Sequence, residues 1–202
     1  MMIKLTRFAL ATLTALSILT TMFGSVEVHA STTDNTITLA PPECIGFDFR
    51  ALSDAGYTSE EISIMFEHEV IRLVNEVRAE YGLHSLRLHE GLAEIARLRT
   101  EEKIIYNVRG HLSPTTGLEH TAHARAMGLN VVYAGENSAR GGRTPQEVFD
   151  VWMASSGHRQ FILSGHSTSR FTMPLRYIGV GFSFYERTTA WTLWQTCGRP
   201  AQ

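Results

Sequence analysis

Three polar segments of this 202-residue chain bring together side chains able to do chemistry. They are Gly110-His111-Leu112-Ser113-Pro114, Gly135-Glu136-Asn137 and Ser155-Ser156-Gly157-His158-Arg159. Imidazoles, a carboxylate and hydroxyls are the groups of acid–base and nucleophilic catalysis. His111, His158 and Glu136 also make a donor set that can hold Zn²⁺ with water in the fourth position. Each segment alone has a structural reading: a turn histidine, a capping carboxylate, and a helix-end histidine favoured by the helix dipole. Several chemistries are excluded. His68-Glu69 and His89-Glu90 lack the second histidine of the zinc-protease helix, and no G-x-S-x-G elbow, phosphate-binding glycine loop or dinucleotide fingerprint occurs. With Cys44 and Cys197 at opposite ends of the chain, a Cys-rich zinc site is excluded as well.

These segments need elements to position them. Val148, Val151 and Trp152 recur at i, i+3 and i+4, an apolar helical face with Trp152 as its anchor. Thr144-Pro145-Gln146-Glu147 is a capping box that starts this helix, with Pro145 at its first position. Gly157 is predicted to end it, which leaves His158 and Arg159 on a turn, Arg159 reaching a carboxylate or carbonyl. Thr58-Ser59-Glu60-Glu61 is another capping box, opening a helix to about Tyr81 with Gly82 as its stop. A helix over Glu90 to Tyr106 puts Leu92, Ile95 and Ala96 inward. A short one over Glu119 to Met127 places Ala122, Ala126 and Met127 inward and His120 and His123 toward solvent. Residues 131–139 read as a short strand running into a loop that carries Glu136 and Asn137. Ile178, Val180, Phe182 and Phe184 alternate with Tyr177, Gly179, Gly181 and Ser183, the first strand of a hairpin that turns over Glu186–Thr189 and returns over Ala190–Cys197. Helices mixed with a few strands argue an α+β domain with a mixed, largely antiparallel sheet packed on helices.

Composition bounds the rest. A hydrophobic fraction of 44% and a charged fraction of 19% describe a globular chain, and no Lys/Arg stripe supplies the charge a nucleic-acid partner needs. Residues 1–30 read as a secretory signal peptide: Lys4 and Arg7, an apolar run from Phe8 to Leu19, and Val28-His29-Ala30 before the cut. That run falls short of the roughly 20 residues that span a bilayer, and no second hydrophobic span follows, so the mature chain is expected outside the cell without a transmembrane helix. Residues 31–57 read as an N-terminal leader and 58–202 as the folded domain. In an oxidising compartment a Cys44–Cys197 disulfide is the natural pairing, two free thiols being the alternative. On the chain-entropy model such a bridge contributes about 4–5 kcal/mol.

Together, His111 in its Ser-Pro loop, Gly135-Glu136-Asn137, Trp152-x-x-Ser155-x-Gly157-His158-Arg159 and Ile178-Gly179-Val180-Gly181 resemble the bacterial branch of the CAP superfamily. This is the group of cysteine-rich secretory, antigen 5 and pathogenesis-related 1 proteins, or SCP domains. The resemblance runs from about Glu67 to Gly198 and implies a three-layer α-β-α sandwich. By motif match it places His111, Glu136 and His158 in a central cleft, beside Asn137 and Ser155. The eukaryotic pattern has a second glutamate three residues after the tryptophan, where this chain has Ser155. The cleft is therefore expected either to hold a divalent metal such as Zn²⁺ or to have its imidazoles hydrogen-bonded to Glu136. The resemblance implies a non-catalytic binding module for a lipid, a cell-envelope component or a host protein. The alternative is a hydrolase using Ser155 or Ser156, or a metal-bound water, with an imidazole as base.

Overall fold

A computed structural model describes residues 47–185 and 190–200, with the backbone alone over 184–185 and 190–200. Helix α1 (Phe49–Asp54) follows Asp48, whose carboxylate accepts from the Arg50 and Ala51 amides. This satisfies donors that a first helical turn leaves unpaired. Helix α2 (Ser59–Glu80) begins at the predicted capping box. Thr58 Oγ1 accepts from the Glu61 amide at 3.2 Å while the Glu61 carboxylate accepts from the Thr58 amide at 2.8 Å. Gly82 closes it at φ +66°, a left-handed conformation that costs a residue without Cβ little. There follow β1 (Arg87–Leu88), α3 (Glu90–Ile105), α4 (His120–Ala126), β2 (Val131–Arg140), α5 (Pro145–Ala154), α6 (Ser156–Ile162), β3 (Tyr177–Tyr185) and β4 (Ala190–Pro200).

The strands form one sheet in the order β1-β3-β4-β2. The β1–β3 pair is parallel and the β3–β4 and β4–β2 pairs are antiparallel, which makes the mixed, largely antiparallel sheet expected; β1 and its parallel pairing are not among the expectations from sequence. Cys197 lies between Ile178 and Gly135 in the register, and β2 is an edge strand.

Helices cover both faces, the α-β-α sandwich expected. On one face Leu52, Phe66, Val70, Trp152 and Ile162 of α1, α2, α5 and α6 close over Ile178, Val180 and Phe182 of β3. Burying each such side chain contributes about 1.5–3 kcal/mol. On the other face α3 and α4 bring Ile95 and Ala124 against Val131 and Ala134 of β2. The alternation of β3 explains its glycines. A Cβ on Gly179 would stand 2.1 Å from the Ala93 nitrogen, and one on Gly181 would stand 2.3 Å from the Ala96 carbonyl carbon. The helix backbone rests directly on the strand.

Several local expectations are corrected. The Gly135-Glu136-Asn137 segment is not loop: β2 continues to Arg140 because β4 pairs with it out to Arg140↔Thr192. His158 and Arg159 are helical, in α6. The break falls instead at Ser155, extended at φ −84°, ψ 122°, which caps both α5 and α6. At the start of α5, Thr144 Oγ1 accepts from the Glu147 amide at 3.1 Å, but the Glu147 carboxylate accepts from the Arg143 amide, one residue further back. His123 is buried, whereas Ala122 and Ala126 are exposed, so α4 turns its histidine face inward. Helix α1 lies within the stretch read as leader, and its Phe49 and Leu52 belong to the main core. The signal segment, Cys44 and the 186–189 turn lie outside the described residues.

Candidate functional site

Side chains alternate across a strand, and β2 uses both faces to build the site. Ala134, Glu136 and Ser138 point toward α3 and α4, and Gly135 and Asn137 toward α6. Glu136 is the buried centre, its side chain 0% exposed. Its Oε1 lies 2.9 Å from His111 Nδ1, and its Oε2 lies 3.7 Å from the Nε of the equally buried Arg99. A buried carboxylate persists only when paired in this way.

The His111 loop is pinned to one face of α3. Arg99 donates to the His111 carbonyl at 2.9 Å and pairs with Glu102, and Ser113 Oγ donates to Glu102 Oε1 at 2.6 Å, joined by Thr115. Burial raises the Glu102 pKa, but the hydrogen bonds from Ser113, Thr115 and Arg99 outweigh it and hold the carboxyl below its ordinary value. One position further along α3, Lys103 Nζ donates to Ser138 Oγ at 2.8 Å.

On the other side Asn137 Nδ2 donates to the His158 carbonyl at 3.2 Å. Phe161 lies over Gly135, where a Cβ would meet its ring at 2.6 Å. The end of α6 is held by buried Arg78, which donates to the carbonyls of Ile162 at 2.7 Å and Ser164 at 3.3 Å. A cation on terminal carbonyls also suits the helix dipole.

The two sides enclose a cleft of about 320 Å³ lined by His111, His120, Glu136, Asn137 and His158, with Tyr133, Phe161 and Phe171 as apolar wall. The His120 ring stands edge-on to His111 and to Tyr133, 6.3 Å between centroids in each case. The Nδ1 atoms of His120 and His158 are buried without a hydrogen-bond partner among the described residues. Burial lowers the pKa of both rings. For His158 the neighbouring His111 and Lys103 add to this, while for His120 Glu136 pulls the other way. The shift favours the neutral ring in both, which has one nitrogen to donate and one to accept.

Of the residues singled out from sequence, His111, Glu136, Asn137 and His158 come together. Ser155 does not line the cleft; it serves as the joint between α5 and α6, with its carbonyl accepting from the Arg159 amide at 2.9 Å. Ser156 is exposed. Arg159 donates to the Met153 carbonyl at 2.7 Å, and Trp152 is fully buried. The donors do not fit a zinc site as arranged. His111 Nδ1 is taken up by Glu136, whose other oxygen faces Arg99, and among the described residues no three His, Cys, Asp or Glu side chains converge as metal ligands. Sequence reasoning turned His120 toward solvent and missed Arg99, Glu102 and Lys103. The signal was present: 99, 102 and 103 stand at i, i+3 and i+4, one helical face.

The comparisons with known proteins agree with this fold. A family model described as the cysteine-rich secretory protein family, CAP, matches residues 71–197. YkwD of Bacillus subtilis (strain 168) is 35% identical over 127 residues, 63% of this chain and 45% of that protein, so the chain spans less than half the length of this relative. An extracellular protein containing an SCP domain from Bacillus anthracis str. Ames superposes with a TM-score of 0.57 at 22% identity, over 70% of this chain and 42% of that one. An outer surface protein of Borrelia burgdorferi gives 0.57 at 13% identity, over 66% and 92%. Among the described residues no helix is long and apolar enough to cross a membrane. With the fold, the motif order and the family match in agreement, this chain belongs to the CAP family of cysteine-rich secretory proteins.

Proposed function

We propose that this protein is a secreted, non-catalytic binding module that takes a lipid, cell-envelope or host ligand into the cleft of His111, His120, Glu136 and His158. The observation behind the reading is that His111, His120 and His158 line one cavity with an aromatic wall around the buried Glu136, and that the Nδ1 atoms of His120 and His158 are buried without a hydrogen-bond partner among the described residues. A buried polar atom without a partner costs about 1–3 kcal/mol, and a ligand for which either ring turns its Nδ1 into the cleft recovers it. The position of Ser155 at a helix joint argues against a serine nucleophile.

Export through the segment 1–30 and a Cys44–Cys197 bridge belong to the same proposal, with the domain taken back to include α1 at Phe49. They accord with relatives described as extracellular or outer surface proteins. A lipid and envelope-fragment screen on the secreted chain tests it, with His158→Ala and His111→Ala as controls. A ligand that binds wild type at least tenfold more tightly than either variant is the expected result. A screen that yields no ligand, or one indifferent to both variants, sinks the reading.

A hydrolase remains a second reading because of one contact, the 2.9 Å His111–Glu136 bond. A buried carboxylate orienting an imidazole is how a general base is held. Turnover of a peptide and ester panel that is lost in His111→Ala and survives chelator would establish it.

A further inference from the structure

His111 borders a second cavity. This chamber, of about 500 Å³, is lined by Lys103, Val108, Arg109, Gly110, His111, Ser138 and Arg140, with no acidic residue in its wall, and shares only His111 with the lining of the cleft. Lys103, which lines the chamber, is buried, only 8% exposed, and its Nζ donates to a neutral hydroxyl, Ser138 Oγ at 2.8 Å, also in the lining. Arg140 is fixed by neutral oxygens: Asn107 Oδ1 at 2.6 Å and the Lys103 carbonyl at 2.7 Å. Asn107 supplies its oxygen from a left-handed backbone, φ 50°, a conformation asparagine tolerates better than most residues. Arg109 adds an exposed guanidinium at the rim.

These cations repel one another. Burial first, and Arg140 and Arg99 after it, lower the Lys103 pKa, with Glu136 opposing from behind. Helix and sheet hold Lys103 and Arg140 side by side, facing an open volume. One buried ammonium with two exposed guanidiniums around a cavity that has no carboxylate in its lining is an arrangement that can recognise a phosphate or phosphoester oxyanion, through short charge-assisted hydrogen bonds.

We propose that this chamber is an anion site for a phosphate group, and that His111, bordering both cavities, joins it to the cleft. The ligand is then a phosphoester whose head sits among Lys103, Arg109 and Arg140 and whose uncharged remainder continues past His111 to the aromatic wall. Only this continuation rests on the binding-cleft reading.

The experiment titrates inorganic phosphate into the full chain, following the histidine ring resonances by NMR and the affinity by calorimetry. Saturable, salt-weakened binding that moves His111 is expected. Arg140→Gln should weaken it about tenfold or more, and the exposed Arg109→Gln, which leaves the packing intact, severalfold. Arg72→Gln, at a distant exposed position, should change nothing. Vesicles of phosphatidylglycerol compared with phosphatidylcholine identify the source: selective capture of the former points to a lipid headgroup, and phosphate binding without capture points to a soluble phosphoester. No response to millimolar phosphate, or a response that both Arg140→Gln and Arg109→Gln leave intact, overturns the proposal. Failure here leaves the cleft reading standing. Phosphate binding beside a cleft ligand indifferent to His158→Ala overturns the cleft reading alone.

Discussion

Gly181→Ala tests the sandwich at its tightest contact. In an open strand this change favours folding by about 0.5–1 kcal/mol, because glycine has more freedom to lose. Here the new Cβ would stand 2.3 Å from the Ala96 carbonyl carbon, and ordinary contact begins at 3.4 Å, a shortfall of 1.1 Å. The obstructing atoms are helix backbone, so no rotamer change relieves them and α3 must lift off the sheet. Overpacking of this kind costs about 1–3 kcal/mol, and the rigid neighbour puts it at the upper end, for a net loss of about 2 kcal/mol. At about 2–4 °C per kcal/mol for a domain of this size, Tm falls by about 4–8 °C. The assay is thermal and urea unfolding followed by circular dichroism, beside Gly157→Ala, whose added Cβ meets nothing within 4 Å and lies in a helix. The control should gain about 0.5–1 kcal/mol. A Gly181→Ala protein that melts at or above wild type would refute the packing argument, since the sign itself separates the two cases.

Acid should weaken the fold in a defined window. Burial lowers the pKa of His120, His123 and His158, so the unfolded chain takes up protons first. Their contribution is complete above about pH 6.5 and is lost as pH falls through the depressed values; urea midpoints from pH 7.5 downward should decline, less so in His123→Gln. Arg78→Met strips donors from the Ile162, Ser164 and His84 carbonyls; it should cost about 2–4 kcal/mol by urea unfolding, and an unchanged midpoint would discount the helix-end clamp. Gly135→Ala would drive a methyl into the Phe161 ring and the Tyr133 hydroxyl. It should abolish ligand binding in the cleft while leaving phosphate binding in the basic chamber unchanged, both read by calorimetry.

Much of the architecture is legible in the chain because local rules and tertiary packing agree there. Thr58 and Glu61 form the reciprocal cap their spacing implies, and the alternation around Ile178 and Val180 becomes a strand with one apolar and one glycine face. The site was harder to read where polar residues serve two layers at once. Glu136 and Asn137 face opposite sides of an edge strand, so β2 shows no apolar alternation and reads as loop. Gly157 reads as a helix breaker, yet its φ is not positive and the helix passes through it; the break falls at Ser155, a residue type favoured at helix starts, whose signal the neighbouring glycine overshadows. Arg99, Glu102 and Lys103 resemble a solvated helical face, and only the loop carrying His111 and Ser113, folding back from sequence positions beyond them, converts that face into interior.

Because β2 is the rim of the sheet, His111 and His158 reach the cleft from opposite helical layers, one from the side of α3 and the other on α6. A molecule seated between the two imidazoles therefore acts as a staple, clasping one layer to the other across the sheet's margin. Occupancy and cohesion of the sandwich become one quantity: filling the cleft should slow the parting of the layers, and loosening either core should loosen the grip on the ligand.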